Sequence, residues 1–287
     1  MISIILVNYN VSSCLFKCLD SILDSKIDKP FEIVLVDNNS TENIDIVDRI
    51  DCYDMSIRFF KLNENMGFSK AVNFAIGKSS GDYILLLNPD TQLYDDSISQ
   101  MYEFLYTNNN VGIVGCKVLY PNGAYQLSSK RQFPFIKYGL WRMFKIDKLF
   151  SKSRYFGQYN YTYEDVDKIL AVDSVSGSCM MFKKELIDKI GKFDENFFLY
   201  FEDTDFCHRA KEYLEVIYNP QCKVIHSKGE SFNSSKRNIN YEFFKSLKVF
   251  YNKYPEEYNN FNITKILVNC MLTSLVFLFS LTGNKYE

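Results

Sequence analysis

Four short apolar runs, Ile2–Val7, Phe31–Val36, Ile57–Lys61 and Tyr83–Leu87, each stop at a polar turn and alternate with segments of helical spacing. Runs of five or six residues bounded by turn formers are too short for helices and read as strands buried on both faces of a parallel sheet. Between the first two, Leu15, Leu19, Ile22 and Leu23 fall on one helical face, with Ser12 or Ser13 expected to cap it. The segment Ser69–Ile76 opens on another Ser and places Val72 and Ile76 one turn apart. Strand–helix alternation of this kind implies right-handed βαβ units. The expected fold is therefore α/β: a Rossmann-like, mostly parallel sheet flanked by helices, with a C-terminal helical appendage.

In open sheets of this type a ligand sits outside the carboxyl ends of the strands. Those ends are polar here: Asn8-Tyr9-Asn10, Asp37-Asn38-Asn39-Ser40, Asn65-Met66-Gly67-Phe68 and Asn88-Pro89-Asp90. Any one set is an ordinary turn; four together, two of them with an Asp, point to a site. After residue 110 the rhythm changes. Val111–Lys117 reads as a strand and Tyr120–Gly123 as a turn, and 124–165 is aromatic, basic and poorly periodic, suiting a long loop. Strands are expected at Ala171–Val175 and Gly177–Phe182, and helices at Lys184–Ile190, Phe206–Glu212 and 238–254.

The chain has 287 residues, enough for one large domain with an appendage. The expected division is a domain over 1–235, with halves 1–110 and 111–235, and a helical region over 236–287. Thirty-three basic and 35 acidic residues give a net charge of −2, which offers nucleic acid no global attraction. The eight cysteines form no CxxC pair, so free buried thiols in a reducing compartment are expected. Ile2–Val7 is too short for a signal peptide, and the expected location is cytoplasmic. Residues 263–283 carry no charge except Lys265 and approach the ~20 residues of a bilayer span. Asn269, Thr273 and Ser280 share one face of that helix, however, and no basic cluster flanks it. A peripheral helix at the inner face of the cell membrane, or one packed on the domain or on a second copy as a homodimer, fits better than a span.

The chemistry-bearing residues are carboxylates. Asp90 follows a buried strand and suits a divalent cation, either Mg²⁺ or Mn²⁺. Glu202-Asp203-Thr204-Asp205 follows five aromatic or apolar residues, which would set it at a cleft floor, although acids also commonly start a helix. His226, one of two histidines, follows Val224-Ile225 and could be a ligand or a structural histidine. Lys130-Arg131 could meet an anionic donor or acceptor, or form a solvated pair.

The sequence resembles the family 2 glycosyltransferases with the GT-A fold, especially their bacterial rhamnosyltransferase-like branch. The marks run from residue 2 to about 231: Val7-Asn8-Tyr9-Asn10, Val36-Asp37-Asn38-Asn39-Ser40 and Asn65-Met66-Gly67-Phe68-Ser69-Lys70-Ala71-Val72-Asn73. They continue with Leu87-Asn88-Pro89-Asp90, Gly191-Lys192-Phe193-Asp194-Glu195, Tyr200-Phe201-Glu202-Asp203-Thr204-Asp205 and His226-Ser227-Lys228-Gly229. The resemblance implies an inverting sugar transfer from a dTDP- or UDP-sugar, rhamnose first, to a glycan or lipid-linked acceptor in surface polysaccharide synthesis. It implies that Asp37 bonds the base, that Asn8 and Asn10 line the nucleotide pocket, and that Asn65, Gly67 and Asn73 shape the flanking loop and helix. Asp90 matches the last acid of the metal motif, whose first acid is here the neutral Asn88, and His226 matches a later ligand. Asp203 matches the general base. From the residues themselves, Glu202, Asp205 and Arg131 are the candidates for supporting or acceptor-side places. The rival readings are a nucleotide- or glycan-binding protein of the same fold without catalysis, and a nucleotidyltransferase. The latter would need a Gly- and Lys/Arg-rich loop where Asn8-Tyr9-Asn10-Val11 stands.

Overall fold

In the computed structural model, residues 1–42, 46–53, 55–227, 239–255 and 262–282 are described. Lys228 and Gly229 of the last motif, the boundary expected at 235/236 and residue 283 lie outside them. The first half runs β1 (Ile2–Asn8), α1 (Ser12–Leu23), β2 (Phe31–Asp37), α2 (Ile46–Ile50), β3 (Ile57–Lys61), α3 (Phe68–Lys78), β4 (Tyr83–Leu87), β5 (Thr91–Leu93) and α4 (Ser97–Thr107). The second half runs β6 (Val111–Leu119), β7 (Lys130–Arg131), α5 (Ile136–Met143), α6 (Ile146–Leu149), β8 (Leu170–Ala171), β9 (Ser174–Val175), β10 (Cys179–Lys183), α7 (Leu186–Ile190), α8 (Glu202–Ala210) and β11 (Glu215–His226). Two helices follow, α9 (Ile239–Lys253) and α10 (Asn262–Thr282).

The central sheet has the order β3-β2-β1-β4-β10-β6-β11-β5, with β8 beside β11. β1 to β4 pair in parallel and so do β6 and β11, whereas β10 runs antiparallel between β4 and β6. The sheet is thus mostly parallel but mixed, because β10 returns from the long excursion after β6. Side chains alternate across it with the period of two that a pleated strand dictates. Ile2, Ile4 and Leu6 meet α1 and α4 through Leu15, Leu19 and Met101, and Ile5 and Val7 meet α3 through Ala71, Val72 and Ala75. Each buried Ile, Leu, Val or Met among them contributes about 1.5–3 kcal/mol by leaving water.

Several local expectations are corrected. Val11, not Ser12 or Ser13, holds the cap position of α1; the Ser12 amide instead donates to Glu42 Oε2 at 2.9 Å. α3 begins at Phe68 after Gly67, and Ser69 is buried within its first turn. The segment 124–165 is not all loop: it contains β7, α5 and α6, organised by tilted and edge-to-face aromatic contacts such as Trp141 against Tyr155 and Phe156. The strand expected at Ala171–Val175 divides into β8, on β11, and β9, on β7. The helix expected at Phe206 starts at Glu202, so the acidic run is its first turn.

A third apolar cluster joins Phe197 and Phe201, before α8, to Phe250, Tyr251 and Tyr254 of the α9 region and to Val268 and Leu272 of α10. On that side α10 also accepts Lys248 Nζ at Thr273 Oγ1, 2.8 Å away. Its other side leaves Ile266, Leu267, Met271, Phe277 and Leu278 exposed. Among the described residues no helix is long and apolar enough to cross a membrane. Six cysteines are buried, Cys52 and Cys270 are exposed, and none of the eight is in a disulfide.

Candidate active site

A cleft opens at the carboxyl ends of β1, β2 and β4, lined among others by Tyr9, Asn38, Asn65, Gly67, Asn88 and Asp90. Behind its wall the polar residues bond one another. Asn8 Nδ2 donates to Asp37 Oδ1 at 2.9 Å and to Ser40 Oγ at 3.1 Å, and the Ser40 amide donates to Asp37 Oδ2 at 3.1 Å. Asn10, in the left-handed region at φ 56°, receives the Thr41 amide on its side-chain oxygen at 2.7 Å. Asn38 Nδ2 donates to Asn65 Oδ1 at 3.0 Å, and Asn38 Oδ1 accepts the Met66 amide at 3.0 Å. Gly67 is required twice over: its φ is 85°, and a Cβ there would lie 2.6 Å from Phe198 Cδ2 and 2.8 Å from the Phe198 carbonyl oxygen.

The next group straddles β5 and β11. Antiparallel pairing sets His226 opposite Thr91, which brings His226 Nε2 to 3.1 Å from Asp90 Oδ1 across 136 positions of sequence. Asn88 Oδ1, in the same cleft, is buried without a hydrogen-bond partner. Among the described residues no group of three His, Cys, Asp or Glu could hold a metal. The available donors are thus a carboxylate, an imidazole and an orphaned amide oxygen, a set that fits a divalent cation completing its shell with water and ligand oxygens.

The acidic turn forms the third group. Tyr200 and Phe201 both adopt positive φ, 71° and 64°, a conformation that costs bulky residues of order 1 kcal/mol or more each. Packing around Phe201 and the bond from Ser246 Oγ to the Leu199 carbonyl, 2.8 Å, hold them there. α8 therefore starts abruptly and presents Glu202 and Asp203 to the cleft. Asp203 Oδ2 accepts Arg131 Nη2 at 2.6 Å and the Gly177 amide at 2.9 Å, while Oδ1 accepts the Thr204 amide at 2.7 Å and Thr204 Oγ1 at 3.1 Å. A Cβ on Gly177 would press on Asp203 Cβ at 3.1 Å, so this close approach favours glycine. Burial alone would pull the Arg131 guanidinium down, but the charge of Asp203 and its hydrogen bond carry it above its ordinary pKa. Arg131 Nε remains buried without a partner.

Glu202 differs from its neighbour. Its Oε2 is buried with no hydrogen-bond partner, and burial, followed by the charge of Asp203, pushes its pKa up to about 8. Asp205 is fully buried and faces away: Arg209 Nε and Nη2 reach its Oδ2 at 2.9 and 2.8 Å, and Tyr254 Oη and Lys253 Nζ reach its Oδ1 at 2.8 and 2.6 Å.

The structure thus gathers Asn65, Gly67, Asn88, Asp90, Arg131, Glu202, Asp203 and His226 around one cleft. Asn8, Asn10 and Asp37 stand in the layer behind it. Asn73 lies elsewhere, clamped between the Phe193 carbonyl at 2.8 Å and Glu195 Oε1 at 3.0 Å. Lys130 and Arg131 are not a solvated pair: the ammonium of the fully buried Lys130 sits over the Tyr218 ring, 4.7 Å from its centre. Sequence reasoning missed Gly177, whose only signal is a small-residue run, Ser176-Gly177-Ser178, between two strands. It also missed Glu242, a buried acid on the inward face of α9 that lines the cleft.

A family model described as Glycosyl transferase family 2 matches residues 3–191, and the chain belongs to that family. It is 25% identical over 228 residues to a hexosyltransferase of low-salt glycan biosynthesis from Haloferax volcanii, covering 78% of this chain and 65% of that protein. It is 24% identical over 243 residues to the N-acetylglucosaminyl-diphospho-decaprenol L-rhamnosyltransferase of Mycobacterium tuberculosis, covering 80% of this chain and 77% of that one. Among solved structures, the mannosyltransferase PcManGT from Pyrobaculum calidifontis, in complex with GDP-Man and Mn²⁺, matches at a TM-score of 0.59 and 17% identity. The match covers 100% of this chain and 75% of that one, and the fold is GT-A.

Proposed function

We propose that the chain catalyses inverting transfer of one sugar from a dTDP- or UDP-linked donor to a glycan acceptor, a lipid-linked one, in surface polysaccharide synthesis. The name of the Mycobacterium relative, a rhamnosyltransferase acting on a diphospho-decaprenol, makes rhamnose the first sugar to test. The observation that carries the reading is Asp203, fixed by Arg131 and Gly177 in the cleft that also holds the Asp90–His226 pair.

The nucleotide rests against Tyr9, Asn38 and Asn65, with Asp37, Asn8 and Asn10 ordering that wall from behind. Asp90, His226 and Asn88 would hold a divalent cation, which supplies charge neutralisation for the departing diphosphate. Asp203 takes the proton from the acceptor hydroxyl as its oxygen bonds to the anomeric carbon. The bond from that carbon to the phosphate oxygen breaks on the opposite face, so configuration inverts. Four donors fill the lone-pair sites of Asp203, and the acceptor hydroxyl replaces the longest of them, Thr204 Oγ1. The free Nε–H of Arg131 offers a donor to an anionic group, and the largely protonated Glu202 offers one to the acceptor sugar. Donor-cleavage and transfer assays across a nucleotide-sugar panel, with the product's anomeric configuration read by NMR, test this. Inverted product is expected; nucleotide binding without turnover would favour a non-catalytic binding protein.

A further inference from the structure

The excursion between β7 and β8 carries a second surface. Over 136–155 there are six cations, Lys137, Arg142, Lys145, Lys148, Lys152 and Arg154, against one acid, Asp147, in a chain whose net charge is −2. Among the described residues none of the six forms an ion pair; Lys137 and Arg142 lie over aromatic rings instead. The same segment exposes large apolar side chains, with Leu149 77% and Phe144 66% accessible, and Phe150 and Tyr155 at least half so. Isolated exposed hydrophobes are ordinary, but four within twelve residues, set among unpaired cations, are not. Cations at headgroup level with apolar and aromatic side chains between them are what an anionic bilayer interface accommodates.

We propose that α5, α6 and the turn after them dock on an anionic lipid surface. The segment starts five residues after Arg131, the partner of Asp203, and Ile136 packs against the cluster that positions α8. A membrane bound here therefore lies near the acceptor side of the cleft. The inference does not depend on the sugar-transfer reading, since it concerns binding and not turnover. It also differs from contact through α10, whose exposed face carries no comparable basic cluster among the described side chains.

The test is flotation of the full chain with phosphatidylcholine vesicles, with and without phosphatidylglycerol. Binding is expected only to the anionic vesicles and should fade in ~1 M salt, where charges are screened beyond about 3 Å. At roughly five-fold per charge near the surface, Arg142→Gln, Lys148→Gln and Lys152→Gln together should weaken it about 100-fold. Phe144→Ser with Leu149→Ser should weaken it further, and these exposed positions should leave the melting midpoint unchanged. No vesicle binding, equal binding to neutral vesicles, or binding unchanged in the triple variant would overturn the proposal. So would loss of binding only in Leu267→Ser with Phe277→Ser on α10, or retention on polyuridylate in place of vesicles.

Discussion

The two halves of the molecule build their walls of the cleft in different ways. In the first half, amide and hydroxyl side chains at successive strand ends bond one another and the Asp37 carboxylate, as Asn8 bonds Asp37 and Asn38 bonds Asn65. These partners lie within about 30 positions in sequence, and parallel register between β1 and β2 brings Asn8 beside Asp37. In the second half, ions meet across long separations, Arg131 with Asp203 and Lys253 with Asp205. A network of mostly neutral polar groups loses about 1 kcal/mol per deleted bond, whereas an orphaned buried ion costs several. The second half is therefore where single substitutions should act most sharply, on chemistry at one acid and on stability at another.

Asp203→Asn is the most severe test of that difference. It should lower transfer kcat by on the order of 10²-fold or more while nucleotide affinity, measured by calorimetry, stays near wild type. Near-wild-type kcat would remove Asp203 from the proton's path. Asp205→Asn should instead destabilise the chain by about 1.5–3 kcal/mol in denaturant unfolding, since it removes the buried charge that Arg209 and Lys253 share, although Lys253 keeps Asp194 and Arg209 keeps the Ile190 and Gly191 carbonyls. If Asp205→Asn is as stable as wild type but inactive, the division of labour between the two acids is reversed.

On the first side of the comparison, Ser40→Ala removes the hydroxyl donor to Asp37 Oδ1 but keeps the backbone amide on Oδ2, and should cost only about 1–2 kcal/mol, with a modest loss of nucleotide affinity. Glu202→Gln differs from these in depending on pH, its effect vanishing below about pH 4.5 and growing above it. Burial raises the Glu202 pKa from 4.5 to about 8, so the folded chain holds a proton that the unfolded chain has released across that window. Wild type should then lose stability relative to Glu202→Gln as pH rises from about 4.5 towards about 8, with no difference below it. Parallel stability–pH curves for the two proteins would show that Glu202 titrates normally.

The same contrast explains what could be read from sequence. The four parallel strands of the first half, with α1 and α3 between them, follow from apolar periodicity, and the polar strand ends mark the cleft because parallel topology collects them on one edge. α2, β5 and α4 are not among the expected elements. The second half resists such reading because its pairings are made at long range. Nothing local to Lys130-Arg131 indicates that one ammonium sits over Tyr218 while the neighbouring guanidinium reaches an acid 72 positions away. The positive φ values of Tyr200 and Phe201 are equally silent in sequence, since neither residue favours that conformation, and they decide which acids of the turn face the cleft. The resemblance to a family points to Asp203 and the basic pair to Arg131; the structure adds Gly177 and brings it and Arg131 onto the Asp203 carboxylate.

The most direct test of the account is sugar transfer with the donor panel, run in a chelator and then with Mn²⁺ or Mg²⁺ restored, for wild type and Asp90→Ala. The account predicts an inverted product from wild type, loss of turnover in chelator with recovery on adding the cation, and little recovery in Asp90→Ala. Full turnover under thorough chelation, or an Asp90→Ala enzyme as active as wild type, would contradict it.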